Sequence, residues 1–174
     1  MNFQFFVEKL QHLDNYKEFI SKNEGIYPCS CFFVIDREKK ESGEDKQHFD
    51  FFIPSAGKMF SFQLEDGGKL VPVELVEGDK TPTEISLEVD FDFKDVEKLI
   101  EDRMQKEGIK SKIQRFLFSF QKKEKTHFLI GTVFISGLGI LKIAIDTGKM
   151  ELVDFEKKSL FEMVNIRKGG KDKK

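Results

Sequence analysis

The feature that most restricts the folds open to this chain is an ordered internal echo. Phe3-Gln4-Phe5-Phe6-Val7-Glu8-Lys9-Leu10 is answered by Phe91-Asp92-Phe93-Lys94-Asp95-Val96-Glu97-Lys98-Leu99. Lys46-Gln47-His48-Phe49 is answered by Lys125-Thr126-His127-Phe128, Phe52-Ile53 by Phe134-Ile135, and Asp66-Gly67-Gly68-Lys69-Leu70 by Asp146-Thr147-Gly148-Lys149-Met150. The order is kept and the separation shortens after the first pair. A duplicated unit with one longer connection in its first copy produces this pattern.

Each unit must bury its own apolar face, and the chain has the material to do so. It carries 20 Phe, 2 Tyr and no Trp, so its core is built from rings that have no polar atom to satisfy. A chain of 174 residues buries roughly 70% of its unfolded surface, enough for one domain or two small fused ones without disulfides. Cys29 and Cys31 stand two apart in an extended segment, a poor separation for a mutual bridge. With no cationic start leading into an apolar run, the reading is a reducing, cytoplasmic compartment. No apolar run approaches the ~18 residues of a spanning helix. The balance of 29 Lys+Arg against 31 Asp+Glu argues against nucleic acid or an anionic membrane as partner. The local basic excess, Lys168 to Lys174, reads as a solvated tail.

Periodicity gives the elements. Phe3, Phe6, Val7, Leu10, Leu13, Phe19 and Ile20 recur at three and four, a helix over 3–22 with an interruption at Asp14-Asn15 and an end at Gly25 and Pro28. Strands are predicted over Tyr27 to Asp36, His48 to Ile53, Met59 to Glu65 and Lys69 to Val76, with turns at Pro54 to Gly57 and Asp66-Gly67-Gly68. Glu84 to Phe93 alternates without a fault and reads as a further strand with one wet face. A second helix follows from about Asp92 to Glu107, then strands at Lys112 to Gln121, His127 to Ser136, Ile140 to Asp146 and Lys149 to Phe155. A last helix is predicted over Glu156 to Ile166. The fold class is therefore α+β: two tandem helix-plus-antiparallel-meander units, 1–78 and 83–166, each helix packed on one sheet face, with a short C-terminal helix and a disordered basic tail at 167–174.

A helix, Val96 to Met104, followed by a meander whose last hairpin reads Leu141-Lys142-Ile143-Ala144-Ile145-Asp146-Thr147-Gly148-Lys149-Met150 resembles the PepSY and cystatin-like group of α+β domains. That resemblance implies a non-catalytic module that binds protein or peptide, sometimes inhibiting a protease.

Chemistry-bearing constellations are sparse. Cys29, Cys31 and His48 have metal-ligating side chains. A hairpin turning at Ser42-Gly43, however, would set His48 opposite Arg37, ~20 Å from Cys31 along the strand, so no metal site is assigned. No nucleophile elbow surrounds Ser55 or Ser136, Gly137-Leu138-Gly139 lacks a third glycine, and neither Lys58 nor Lys69 sits in a phosphate-binding loop. No catalytic residue and no cofactor follow, and the reading leans away from an enzyme. Two features remain. His48 and His127 occupy equivalent places and could meet across a pseudo-two-fold as an acid/base pair. Glu84, Ser86, Glu88 and Asp90 form an acidic row, which is either the solvated side of a strand or a face for a basic partner. The functional expectation is a cytoplasmic, non-enzymatic protein-interaction module. The alternative is a binder of small apolar ligands in a cavity between helix and sheet, and the oligomeric state is left open.

Overall fold

The computed structural model describes residues 1–38, 45–75, 80–159 and 161. The fold is α+β: among the described residues, three helices lie on an antiparallel sheet of eight strands. The predicted first helix is two, α1 (Phe3–His12) and α2 (Asp14–Lys22), broken at Leu13. Strands β1 (Tyr27–Asp36), β2 (Lys46–Ile53), β3 (Lys58–Gln63) and β4 (Lys69–Val73) follow, with a 3-10 turn, Leu64–Asp66, before β4. Then come α3 (Phe93–Lys106), β5 (Ile113–Lys123), β6 (Thr126–Ile135), β7 (Gly139–Asp146) and β8 (Glu151–Ser159).

All eight strands join one sheet in the order β4-β3-β2-β1-β5-β6-β7-β8, where two separate sheets were expected. The seam is β1 against β5, with Phe33 opposite Phe118 and Val34 opposite Leu117. On the helix face the two strands set Cys31, Phe33 and Ile35 against Phe120, Phe118 and Phe116. On the other, β1 carries Phe32 and Val34 and β5 carries Arg115, Leu117 and Ser119, a mixed face of the kind an antiparallel sheet can leave open.

The three described helices all lie on one face. From α1, Phe3, Phe6, Val7 and Leu10 are buried, and from α3, Phe93, Val96, Ile100 and Met104. Phe3 packs on Phe33, Phe49, Phe91 and Phe120 at ring-centroid distances of 6.0, 6.1, 5.0 and 5.1 Å. Phe93 meets Phe33 at 4.9 Å and stacks on Phe118 at 6.1 Å. Tyr16 and Phe19 of α2 cover Phe62 at 5.5 and 5.4 Å, and the Arg103 guanidinium of α3 sits 5.3 Å from the Phe155 ring of β8. Two glycines are required by this packing. Gly68 has φ +80° and lies where a Cβ would run into the Leu13 side chain. On β6, a Cβ at Gly131 would come within 2.6 Å of the Phe118 ring.

The N-termini of α1 and α3 meet reciprocally. Phe3 N–H donates to Phe91 O at 2.9 Å and Phe93 N–H to Met1 O at 3.0 Å, around an antiparallel bridge between Asn2 and Asp92. Asn2 and Asp92 are also the helix caps, accepting from the N–H groups of Gln4 and Lys94 at 2.6 and 2.8 Å. In this geometry Phe3 corresponds to Phe93, Phe6 to Val96 and Leu10 to Ile100. The echoed Val-Glu-Lys-Leu segments are thus one residue out of step with the structural correspondence.

Two expectations are corrected. Glu84 to Phe93 is not a strand: it is an extended crossover with a turn at Leu87-Glu88, ending at the first residue of α3. Its alternation is nevertheless real, since Ile85 and Phe91 are buried while Glu84, Glu88 and Asp90 are exposed. A packed extended segment gives period-two burial whether or not a neighbouring strand takes its hydrogen bonds. The predicted C-terminal helix over Glu156 to Ile166 also fails at its start, because Glu156 to Ser159 complete β8 against β7. Its remainder, apart from Phe161, lies outside the described residues, as do the proposed tail at 167–174 and the end of the first predicted unit at 76–78.

Candidate functional site

The strand registers sort the sheet into a helix face and an open face. One row on the helix face runs Phe33, Phe118, Gly131, Ile143, Phe155. The row beside it on the opposite face runs His48, Phe32, Ser119, Ile130, Ala144, Asp154. The next runs Lys46, Val34, Leu117, Thr132, Lys142, with Glu156 beyond Lys142 at the β8 edge. No described helix covers these rows. Phe32, Leu117, Ile130, Thr132 and Ala144 line an open concavity of 610 Å³. A second, of 400 Å³, continues it past Ile130 and Ala144 to Phe128 and Val153. Ile130, inside the sheet on β6, is 45% exposed and Val153, on the outermost strand β8, is 54% exposed, so both leave apolar surface open to solvent.

The sheet edges are blunted. Edge strand β4 carries Pro72, and β8 is charged along its length and bulged opposite Ala144 and Ile145; proline, charge and bulges are the usual guards against edge pairing.

The structure does not bring His48 and His127 together. His48 is on the open face, where its Nε2 donates to Glu65 Oε1 at 2.6 Å. His127 shares a face with Leu129, stacks on Phe120 at 5.4 Å and 8°, and accepts the Ser86 N–H at Nε2 at 3.0 Å. The matched His-Phe pairs are therefore a coincidence of sequence: Phe49 is buried under the helices whereas Phe128 faces outward beside Asp146. The acidic row and His127, predicted separately, do meet through Ser86. Within the row, Ser86 Oγ accepts Glu88 N–H at 3.1 Å and Asp90 accepts Asn2 Nδ2 at 2.7 Å, leaving Glu84 and Glu88 as its outward carboxylates.

His48 pairs with Phe32 rather than Arg37; the predicted turn at Ser42-Gly43 lies outside the described residues. The predicted separation from the cysteines was thus too long, but Cys31 and His48 point to opposite faces. Among the described residues no group of three His, Cys, Asp or Glu side chains could hold a metal ion. Burial and the nearby Asp50 carboxylate push the Cys29 thiol up to about 12, so it stays protonated and unreactive.

The hairpin turn after β7 is accounted for by its own bonds. Asp146 Oδ1 accepts the N–H groups of Gly148 and Lys149 at 3.0 and 3.1 Å, and Thr147 donates through N–H and Oγ1 to His127 O. Such a side-chain-locked turn needs no ligand.

Glu65 supplies a pH prediction. Burial alone would push its carboxyl up. Its own N–H, the Gln47 N–H and His48 outweigh burial and hold it below the ordinary glutamate range. A folded pKa below the unfolded value of about 4.3 contributes stability that is present above that value and lost as pH falls through the folded pKa. Chemical denaturation from about pH 5 to about pH 3 will therefore show a decline that is shallower in Glu65→Gln; parallel declines in the two proteins would refute this assignment.

No protein-family model matches the chain, and no curated protein matches it. Among solved structures, the crystal structure of "a putative lipoprotein" from Clostridium difficile 630 aligns over 83% of this chain and 91% of its own, with a TM-score of 0.54 and 11% identity. At that identity the likeness is one of fold alone, an α+β chain of the same overall arrangement.

Proposed function

We propose that this chain is a non-enzymatic protein-interaction module, built from two fused helix-plus-meander units, that docks its partner on the open face of the sheet. The observation that carries this reading is the apolar strip Phe32, Leu117, Ile130 and Ala144, which no described helix covers, on a sheet whose described helices all lie on the other side. The row Lys46, Val34, Leu117, Thr132, Lys142 sets a lysine on either side of an apolar middle. The occupant is accordingly a protein surface with an apolar ridge bordered by carboxylates, and added salt will weaken its binding. The repeated element order and the reciprocal bonds at Asn2 and Asp92 support the tandem reading. A PepSY-like or cystatin-like relationship rests on the β7–β8 hairpin alone, and the proposal does not depend on it.

The apolar-ligand alternative finds less support, because rings fill the layer between helices and sheet. Two buried, unpaired cysteines favour the cytoplasm, whereas the neighbour's description as a lipoprotein favours export; cell fractionation separates the two.

The test starts from a partner recovered by in-cell crosslinking to the native chain, its affinity then measured with purified components. Ile130→Glu places a carboxylate in the apolar strip at an exposed site, so folding will be preserved. Affinity will fall at least about 100-fold, the scale of a central hot spot. The triple change Glu84→Gln, Glu88→Gln, Asp90→Asn will leave it within about threefold. The opposite ranking would move the interface to the acidic row.

A further inference from the structure

We propose that His127 is a proton-operated clasp on the crossover: the neutral ring holds the Ser86 N–H, and protonation in mild acid lets the chain around Ser86 lift from the sheet. This goes beyond the docking reading and does not depend on it.

The geometry fixes the tautomer. Nε2 accepts the Ser86 N–H at 3.0 Å, so the neutral ring carries its proton on Nδ1. Protonation makes Nε2 a donor as well, leaving two N–H groups facing one another. The ring also lies flat on Phe120, and turning it away to relieve that clash would give up the stack. Lys122 stands directly opposite His127 in the β5–β6 register and adds a positive charge on that side.

The remaining charged groups of the surrounding elements offer the imidazolium little compensation. Glu84 and Glu88 of the crossover and Glu124 and Lys125 of the β5–β6 turn are exposed, and Asp146 at the end of β7 has Oδ1 engaged by the turn amides. Burial, with Lys122 second, accordingly holds the His127 pKa below the ordinary histidine range. With the folded pKa depressed, the contact is complete above the unfolded value of about 6.5 and is lost as pH falls through the lower, folded pKa.

The opening is local because its flanks are tied independently. Upstream, Ile85 N–H donates to Pro28 O at 2.9 Å. Downstream, Gln4 Nε2 donates to both Leu87 O and Val89 O at 2.7 Å. Between these anchors, His127 is the group that takes the Ser86 amide. Releasing it also frees Ser86 Oγ from its position under Glu88 N–H, which changes how the acidic row is presented.

Amide exchange at Ser86, expressed as a protection factor to remove the intrinsic pH effect, reads the clasp directly, with Ile85 as the internal reference. Between about pH 7.5 and about pH 5, Ser86 protection in the native chain will fall about tenfold while Ile85 protection holds, the mark of a local rather than global opening. His127→Gln offers an acceptor that does not titrate and will keep Ser86 protected at both values. His127→Phe keeps the stack without an acceptor and will leave Ser86 unprotected at both. A pH-independent native protection factor, an equal loss at Ile85, or a His127→Phe chain as protected as the native one would each overturn the proposal.

Discussion

Replacing Phe3 with alanine will cost about 3–5 kcal/mol of folding stability, the range for deleting a fully buried ring whose surroundings cannot collapse. Phe3 is fully buried, and its ring touches four others that belong to β1, β2, the crossover and β5. No single one of these elements can move inward to fill the hole, because each is held by its own strand pairing or by the reciprocal bonds at Phe91 and Phe93. Domains are stable by only about 5–15 kcal/mol in total, so this one change will consume a large share of the margin. Phe5, two positions along the same helix, is 57% exposed, and its alanine variant will stay within about 0.5 kcal/mol of the native chain. Urea denaturation of both variants measures the contrast, and a Phe3→Ala loss below about 1.5 kcal/mol would mean that the site relaxes far more than its neighbours suggest.

The second large effect reverses the usual sign of a glycine substitution. Alanine in place of glycine inside a strand ordinarily gains roughly 0.5–1 kcal/mol through backbone entropy. At Gly131 the added methyl would stand 2.6 Å from one Phe118 ring carbon and 2.8 Å from another. Phe118 has nowhere to go, since Phe93 and Phe116 stack against it. Overpacking of this kind costs about 1–3 kcal/mol, which exceeds the entropic gain, so Gly131→Ala will destabilise. Shortening the opposing ring restores room. In the pair Gly131→Ala with Phe118→Leu the losses will therefore sum to less than their separate values, a coupling that a double-mutant cycle reads directly. Strict additivity would show that the methyl finds space elsewhere.

Much of the fold was legible because local chemistry and tertiary packing agree. Tyr27 to Asp36 was readable as a β-branched and aromatic run, and the break in the first helix from the turn-forming Asp14-Asn15, next to its place at Leu13. Where reading failed, a different partner took the backbone. The Glu84 to Phe93 segment alternates like a strand, yet its polar backbone groups go to Pro28, the Gln4 side chain and the His127 ring, none of which is signalled locally. The strand register of His48 is not signalled by the residues beside it, and its partner is Phe32 instead of the expected Arg37. The open face escaped notice for another reason. Phe32, Leu117 and Ile130 stand next in sequence to the buried Phe33, Phe118 and Leu129, so within each short apolar run nothing local marks which residues are covered. Only the topology, which sends every described helix to the same side, separates the covered residues from the uncovered ones.

The β1–β5 seam also sets the order in which the molecule can assemble. Each other strand pairing in the sheet joins neighbours along the chain and closes a short loop, whereas the seam must gather residues from the first and the second half of the sequence. The entropy of closing a loop rises with its length, and contacts remote in sequence form slowly. The hairpins will accordingly zip first and the central pairing last, so a nascent chain holds the β1 edge, with Phe32, Phe33 and Val34, unpaired until β5 has been synthesised. For that interval the most apolar strand of the first half is also its least protected.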